Sequence, residues 1–105
     1  MVKVPELSVV VPSVNGLDDL VGCLKALGRQ EGVQLEVVVV DRLGESVRDV
    51  VRREFPGTVV LAVAHDATIP EMRALAFLNV NADAVAVIED HVIVPPSWGR
   101  QLLDA

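Results

Sequence analysis

Short runs of β-branched residues alternate along the chain with segments whose apolar residues recur every three or four positions. The runs are typical of strands buried on both faces, and they cover residues 7–11, 35–40, 58–64 and 84–88. The helical spacing predicts helices that begin near Leu17, Val47 and Pro70, and a last one over residues 97–103. This alternation with short connections predicts right-handed crossovers and a mainly parallel sheet. We therefore expect an α/β fold, a three-layer Rossmann-like βαβ sandwich.

Two element boundaries have clear local signals. Thr68 is a good N-cap, Pro70 suits the first position of a helix, and Glu71 falls in its first turn. The sequence therefore predicts a helix that starts at this point and ends near Asn81. Pro12 is expected to end the first strand.

The composition fits a small α/β domain. The chain has 105 residues, 51% of them hydrophobic, with a mean hydropathy of +0.46 and three aromatic residues. We expect one domain over residues 1–105. No apolar run approaches the roughly 20 residues that span a bilayer, and no secretory leader pattern is seen, so we expect a cytoplasmic chain without a membrane span. The last predicted helix has barely begun at Ala105. We therefore expect either that the chain continues or that its uncovered sheet edge forms a homo-oligomer.

The charge excludes some partners. A formal net charge of −6 argues against a nucleic acid or an anionic membrane as the primary partner. A phosphorylated small molecule can still bind an acidic protein when a divalent cation lies between them. The single cysteine, Cys23, can form neither an internal disulfide nor a thiolate metal cluster, and we expect a structural thiol.

The candidate chemistry lies after the strands, where parallel sheets collect their functional loops. These loops cover residues 12–16, 41–45, 65–69 and 89–94. The glycine-rich fingerprint of dinucleotide folds and the P-loop pattern are both absent from the sequence. Asp41 and the pair Glu89 and Asp90 remain. One or two carboxylates can hold Mg²⁺ or Mn²⁺ when substrate phosphates complete the shell, so the pattern predicts a metal–diphosphate site.

Four motifs in order resemble a known family. They are LSVVVPSVN at residues 7–15, LEVVVVD at 35–41, MRA at 72–74 and IEDHVIVPPSW at 88–98. Together they resemble the nucleotide-binding half of family 2 glycosyltransferases, which have the GT-A fold. The resemblance covers nearly the whole chain. It implies a nucleotide-diphosphate sugar as the donor and Mg²⁺ or Mn²⁺ held by the acidic motif.

The resemblance also implies roles for individual residues. Asp90 matches the metal-binding aspartate, and Glu89 matches the acidic residue that in relatives often faces the ribose or the sugar. The other residues that match nucleotide-binding positions are Pro12, Ser13, Asn15, Asp41 and Arg73. No residue is assigned a catalytic role, because the catalytic base and acceptor site of relatives lie in a following half that this chain lacks. We expect that the chain alone does not complete a transfer.

Each assignment has a structural alternative. Asp90 could bind loop amides, Asp41 could form a turn before Gly44, and Arg73 could be a solvated charge on its helix. His91 could be a third ligand or an ordinary loop residue. The arginines of the second helix are expected on a solvated face, and they are Arg48, Arg52 and Arg53.

Departures from the family pattern support a second hypothesis. Arg42 stands where relatives commonly carry a carboxylate, Val14 where many carry a tyrosine, and Ile88 leaves the acidic motif incomplete. A guanidinium can only donate hydrogen bonds, so Arg42 cannot accept one from a base. The alternative to a sugar-nucleotide site is therefore a non-catalytic α/β interaction module derived from the same fold.

Overall fold

A parallel sheet with helices on both faces makes up the fold. In a computed structural model that describes residues 4–105, four strands alternate with four helices. The strands are β1 (Leu7–Ser13), β2 (Leu35–Asp41), β3 (Val59–Ala62) and β4 (Ala84–Val87). The helices are α1 (Leu17–Gly28), α2 (Glu45–Glu54), α3 (Ile69–Phe77) and α4 (Trp98–Asp104). The predicted α/β sandwich is confirmed, and every strand pair in the described sheet is parallel.

The strand order explains how the helices divide between the faces. The order is β3-β2-β1-β4, so the chain moves outward twice and then returns past β1. Right-handed crossovers place helices on opposite faces when the direction reverses. Accordingly α1, α2 and α4 pack on one face, against Val9 and Val11, whereas α3 packs on the other, against Val10 and Val38. The reversal makes β1 and β4 neighbours, and ligand sites in open α/β sheets lie at such a switch point.

The first strand runs past the proline that was expected to end it. β1 continues through Pro12 to Ser13, which pair with Val40 and Asp41 of β2. The Ser13 carbonyl accepts a hydrogen bond from Arg42 N at 3.3 Å on the β2 side. Because successive residues of a strand alternate their hydrogen-bonding sides, Pro12 faces β4, whose pairing with β1 has already ended. The missing N–H of Pro12 therefore removes no hydrogen bond from the sheet.

The start of α3 is confirmed, whereas its predicted end is wrong. Glu71 N donates to Thr68 Oγ1 at 3.3 Å and Thr68 N donates to Glu71 Oε1 at 3.0 Å, which is a complete capping box. The helix ends at Phe77 instead of near Asn81. There Asn79 Nδ2 donates to the Leu75 carbonyl at 2.9 Å, so a side chain takes the place of the next backbone donor.

The Glu36 carboxylate links the beginnings of β1 and β2 by hydrogen bonds to the connection between α3 and β4. Glu36 Oε1 accepts from Ser8 Oγ at 2.7 Å and from Asn81 N at 2.8 Å, and Glu36 Oε2 accepts from Asn81 Nδ2 at 2.6 Å. The buried Ser8 hydroxyl in turn accepts from Ala82 N at 3.1 Å. Burial raises the pKa of Glu36, but the bonds from Asn81 and Ser8 outweigh it and leave the pKa below its ordinary value of 4.5.

We expect Glu36→Gln to lower the free energy of unfolding at pH 7 by about 1–2 kcal/mol, because bonds to a charged acceptor are lost. A carboxylate with a lowered folded-state pKa stabilises the fold above its unfolded pKa, and that contribution disappears as the pH falls through the folded pKa. The difference between the two proteins should therefore shrink once the pH drops below 4.5. Urea denaturation across pH measures this. Glu31→Gln, on an exposed loop, is the control, and a difference that stays constant with pH would contradict the argument.

No helix within residues 4–105 is both long enough and apolar enough to cross a membrane.

Candidate functional site

A cavity of about 470 Å³ opens at the switch point, beside the carboxyl ends of β1 and β4. Five of the residues that the sequence assigned to a site line it, and they are Pro12, Asn15, Arg73, Glu89 and Asp90. The remaining lining residues are Val14, Ile69, Val87, Ile88 and His91. Residues from three separate parts of the chain thus meet in one place, with apolar and charged groups on the same walls.

Asp90 joins the segment after β4 to the loop after β1. Its carboxylate is fully buried, with 0% exposure. Asp90 Oδ2 accepts from Val14 N at 2.8 Å and from Asn15 N at 2.9 Å, and Asp90 Oδ1 accepts from Asn15 Nδ2 at 2.5 Å. These bonds span 75 or more positions of the sequence, so they form only because β1 and β4 are adjacent in the sheet.

Glu89 and His91 are the accessible members of the same segment. Their side chains are 75% and 50% exposed, and His91 Nε2 lies 3.1 Å from Glu89 Oε2. His91 Nδ1 also lies 3.4 Å from Asn15 Nδ2, at the edge of the loop after β1. The mouth of the cavity therefore has a carboxylate and an imidazole that a ligand can reach.

Arg73 brings a positive charge to the cavity. It is exposed on α3, and it forms no ion pair with any residue in the range 4–105. Its helix is fixed by the capping box at Thr68 and by Met72 and Ala76, which are both fully buried. A guanidinium that is held near a cavity and lacks a carboxylate partner is suited to a phosphate group.

Two residues that the resemblance placed in a nucleotide site lie outside this cavity. Ser13 and Asp41 are both fully buried, and the Ser13 hydroxyl has no hydrogen-bond partner within the described chain. Asp41 accepts from Leu43 N at 3.2 Å and from Gly44 N at 3.0 Å, and it also forms an ion pair. That geometry corresponds to the structural alternative, a turn that leads into α2.

Arg48 supplies the other half of that ion pair. Arg48 Nη1 lies 3.1 Å from Asp41 Oδ2, and only 13% of the arginine side chain is exposed. The expectation that Arg48 lies on a solvated face with Arg52 and Arg53 is therefore wrong for this residue. Asp41 stands seven positions before Arg48, directly after a predicted buried strand, and a carboxylate at that point of the sequence was the signal that could have indicated the pair.

Two apolar residues of the cavity, Ile69 and Val87, were not predicted from the sequence. Each of them stands next to a feature that was noted, since Ile69 follows the N-cap Thr68 and Val87 precedes the acidic pair by two positions. A side-chain period of two places Val87 and Glu89 toward the same side of an extended segment. That period could have identified Val87 as a residue of the site.

The side chains of Glu89 and His91 can hold a divalent cation only if a bound ligand supplies the rest of its coordination shell. Within residues 4–105 there is no group of three or more His, Cys, Asp or Glu side chains that could hold a metal ion. Mg²⁺ and Mn²⁺ need fewer protein ligands when substrate phosphates supply the other oxygens. Glu89 offers such an oxygen at the mouth of the cavity, and His91 offers a nitrogen next to it. These residues fit a cation that is shared with a diphosphate.

Cys23 lies behind this segment. Its Sγ is 4.0 Å from the Glu89 carbonyl oxygen, and the thiol is buried. Burial, with a smaller contribution from the negative charge of Asp90, raises the pKa of Cys23 to about 11. The thiol is therefore protonated at neutral pH and packs as an apolar group, as expected for a structural cysteine.

Comparison with solved structures identifies the fold as that of GT-A-type glycosyltransferases. A crystal structure of S. aureus TarS 1–349 matches with a TM-score of 0.83 and 18% identity, over 94% of this chain and 31% of that chain. Another S. aureus TarS structure matches with a TM-score of 0.81 and 19% identity, over 94% of this chain and 19% of that one.

A third similar structure contains bound ligands. The mannosyltransferase PcManGT from Pyrobaculum calidifontis, in complex with GDP-Man and Mn²⁺, matches with a TM-score of 0.69 and 22% identity. The match covers 87% of this chain and 29% of that chain. No family model and no curated protein matches the sequence. At 18–22% identity these likenesses show the fold, and the predicted GT-A fold is confirmed. The chain spans less than a third of the length of each of these proteins.

Proposed function

We propose that the chain binds a nucleotide-diphosphate sugar together with Mg²⁺ or Mn²⁺ in the cavity between β1 and β4. The observation that carries the proposal is the charge arrangement of this cavity, where the Arg73 wall is cationic and the Glu89 mouth is anionic. A diphosphate with a bound cation carries both kinds of charge and matches both walls. PcManGT, which shares the fold, was solved with GDP-Man and Mn²⁺, and that supports the same ligand class.

The lining residues suit the separate parts of such a ligand. Arg73 can donate hydrogen bonds to phosphate oxygens, as guanidinium groups do. Pro12, Val14 and Ile69 provide apolar surface for the flat face of a base or a sugar. Asn15 and Glu89 offer polar atoms at the edge, where a ribose presents its hydroxyl groups. Ser13 and Asp41 are not among the proposed ligand contacts, because neither lines the cavity.

The cation belongs at residues 89–91, at the mouth of the cavity. When bound there, it neutralises the negative charge that develops on the leaving diphosphate as a glycosidic bond breaks. The resemblance assigned the cation to Asp90, whose Oδ1 has one hydrogen-bond partner and whose Oδ2 has two. Glu89 is the more exposed carboxylate of the pair. Transfer of the sugar to an acceptor by a longer protein that contains this chain is part of the proposal, and we assign no catalytic residue within the chain.

Thermal unfolding with GDP or UDP in the presence of MnCl₂ tests the proposal. A ligand at about ten times its Kd stabilises the folded state by about 1.4 kcal/mol, so Tm should rise by about 5–10 °C. Arg73→Ala should weaken nucleotide binding about tenfold, because a charged hydrogen-bond donor to phosphate is lost. Arg53→Ala is the matched control, since Arg53 is an exposed arginine of α2 that lies outside the cavity. If neither nucleotide raises Tm at millimolar concentration with Mn²⁺ or Mg²⁺, the proposal fails.

Exposed apolar residues favour the second candidate, a non-catalytic interaction module. β4 is an edge strand that pairs only with β1 in the described sheet, and its residues Val85 and Val87 are 38% and 36% exposed. Phe77 and Leu78, at the end of α3, are 49% and 83% exposed. Edge strands with apolar side chains are common places for strand addition or self-association. A chain that binds neither nucleotide would favour this candidate.

A further inference from the structure

We propose that Asp90 is a positioning residue, which holds the loop after β1 as one wall of the cavity and leaves cation binding to its neighbours. The inference concerns the site of the proposed function and rests on that function for its ligand. Its structural part, the anchoring of the loop by the Asp90 carboxylate, can be tested on the ligand-free protein.

The hydrogen bonds of Asp90 account for its burial. A carboxylate that is removed from water is destabilising unless its oxygens accept hydrogen bonds. Asp90 Oδ2 accepts two backbone N–H groups in succession, from Val14 at 2.8 Å and from Asn15 at 2.9 Å, which fills both of its lone pairs. Asp90 Oδ1 accepts from Asn15 Nδ2 and lies 3.9 Å from His91 Nδ1. A cation ligand needs a lone pair directed at accessible space, and this carboxylate has none of its surface exposed.

The anchored loop is held on one side by Val14, which packs against the buried residues of α3, but its other end has no side-chain anchor. Its N-cap residue, Gly16, carries no side chain, and α1 begins without a side-chain cap. Val14 and Asn15 line the same cavity as Arg73 of α3 and as Glu89 and His91 of the segment after β4. The carboxylate of Asp90 therefore sets the separation between the loop after β1 and the segment after β4, which are two walls of the same cavity.

Glu89 and His91 are accessible to solvent, unlike Asp90. Their side chains are 75% and 50% exposed, on either side of a residue that is fully buried. Glu89 Oε2 and His91 Nε2 lie 3.1 Å apart. Octahedral coordination at about 2.0–2.1 Å places adjacent ligand atoms about 3 Å apart. The accessible donor atoms of this segment are thus those of Glu89 and His91, and Asp90 acts on the ligand through the loop that it holds.

An exchange of two side chains tests the anchor. In Asp90→Asn the amide oxygen can still accept from Val14 N and Asn15 N. The amide nitrogen at position 90 can bond to Asn15 only if the Asn15 amide turns over, and in either orientation the hydrogen bonds lose their charged acceptor. The double variant D90N/N15D reverses the polarity of that pair, so a carboxylate at position 15 accepts from the amide at position 90. The double exchange restores the hydrogen bond and leaves the net charge unchanged.

The decisive readout is the Kd for GDP, measured by titration with MnCl₂ and again with EDTA. We expect Asp90→Asn to weaken GDP binding about tenfold in both conditions, the effect of one lost charge-assisted hydrogen bond, and the double variant to return within about threefold of the wild type. Glu89→Gln should instead remove the gain that Mn²⁺ provides, so that GDP binds no more tightly with MnCl₂ than with EDTA. The proposal is overturned if Asp90→Asn abolishes only the Mn²⁺-dependent gain, or if the double variant binds as weakly as the single one.

Hydrogen exchange of the Val14 and Asn15 amides separates this inference from the proposed function. In the ligand-free protein, Asp90→Ala should lower the protection of both amides about tenfold, whereas D90N/N15D should keep it. If the wild type binds neither GDP nor UDP, the proposed function fails, and the exchange data alone decide the role of Asp90. Unchanged protection in Asp90→Ala would then refute the anchor. Should Asp90→Asn not fold, Asn15→Ala, which removes the side-chain bond to Asp90, is expected to lower the protection of the amides at positions 14 and 15 about threefold in the ligand-free protein, and unchanged protection would refute the anchor.

Discussion

Replacing Asp41 with alanine should lower the free energy of unfolding by about 3–5 kcal/mol, the effect of breaking a buried ion pair at one partner. Asp41 is fully buried, and its partner Arg48 exposes only 13% of its side chain, at 3.1 Å. The variant leaves Arg48 with only the exposed carboxylate of Glu45, at 3.5 Å. It also leaves the amides of Leu43 and Gly44 without an acceptor. Urea denaturation followed by circular dichroism measures the change.

A double variant separates the ion pair from the turn. Arg48→Met removes the charge that Asp41→Ala strands, so D41A/R48M should be more stable than the sum of the two single changes predicts. The difference should be at least about 1 kcal/mol if the pair is as buried as its geometry indicates. Asp49→Ala is the matched control, since that carboxylate is 62% exposed and its pair with Arg52 is worth less than about 1 kcal/mol. A loss below about 1 kcal/mol for Asp41→Ala would contradict the argument.

Replacing Met72 with alanine should lower the free energy of unfolding by about 2–5 kcal/mol. Within residues 4–105, α3 is the only helix that packs on its face of the sheet, and Met72 and Ala76 are its buried residues. Truncating Met72 opens a cavity between α3 and the strand residues Val10, Val38 and Val40, which have little freedom to fill it.

Met72→Leu is the control for that prediction, because it preserves the volume and should be destabilising by less than about 1.5 kcal/mol. Leu78→Ala offers a second comparison at the end of the same helix, where 83% of the side chain is exposed and the change should stay within about 0.5 kcal/mol. Equal losses for Met72→Ala and Leu78→Ala would mean that α3 does not depend on this contact. The comparison also bears on the site, because α3 carries Arg73 into the cavity.

Local signals predicted the elements well. The start of α3 needed only the residues Thr68 and Glu71, since a capping box forms within four consecutive residues. The alternation of β-branched runs with helical spacing predicted a parallel sheet, because consecutive parallel strands must be joined by a long crossover connection, which is usually a helix. The motifs at residues 7–15, 35–41, 72–74 and 88–98 resembled GT-A glycosyltransferases, and the match to solved structures confirms that fold.

Predictions failed more often where the environment of a residue depends on contacts with residues distant in the sequence. Pro12 was expected to end a strand, but which side of the strand lacks a neighbour depends on where β4 stops. Arg48 was expected in solvent. Helical periodicity gives the direction of a side chain, but it does not show that the carboxylate of Asp41 is buried within reach of that side chain. Ser13 and Asp41 come from the ends of strands, as the resemblance required, yet the structure places them outside the cavity.

The sequence by itself determined that acidic residues follow the fourth strand and that loops follow the first, because strand ends and their polar residues are local features. Only the tertiary structure decided which of those residues meet. The strand order places β4 beside β1, and the Asp90 carboxylate therefore bonds to Val14 and Asn15 while Glu89 stays exposed. A sequence contains no information of this kind in its local pattern, since the partners lie 75 positions apart and are chosen by the packing of the whole sheet.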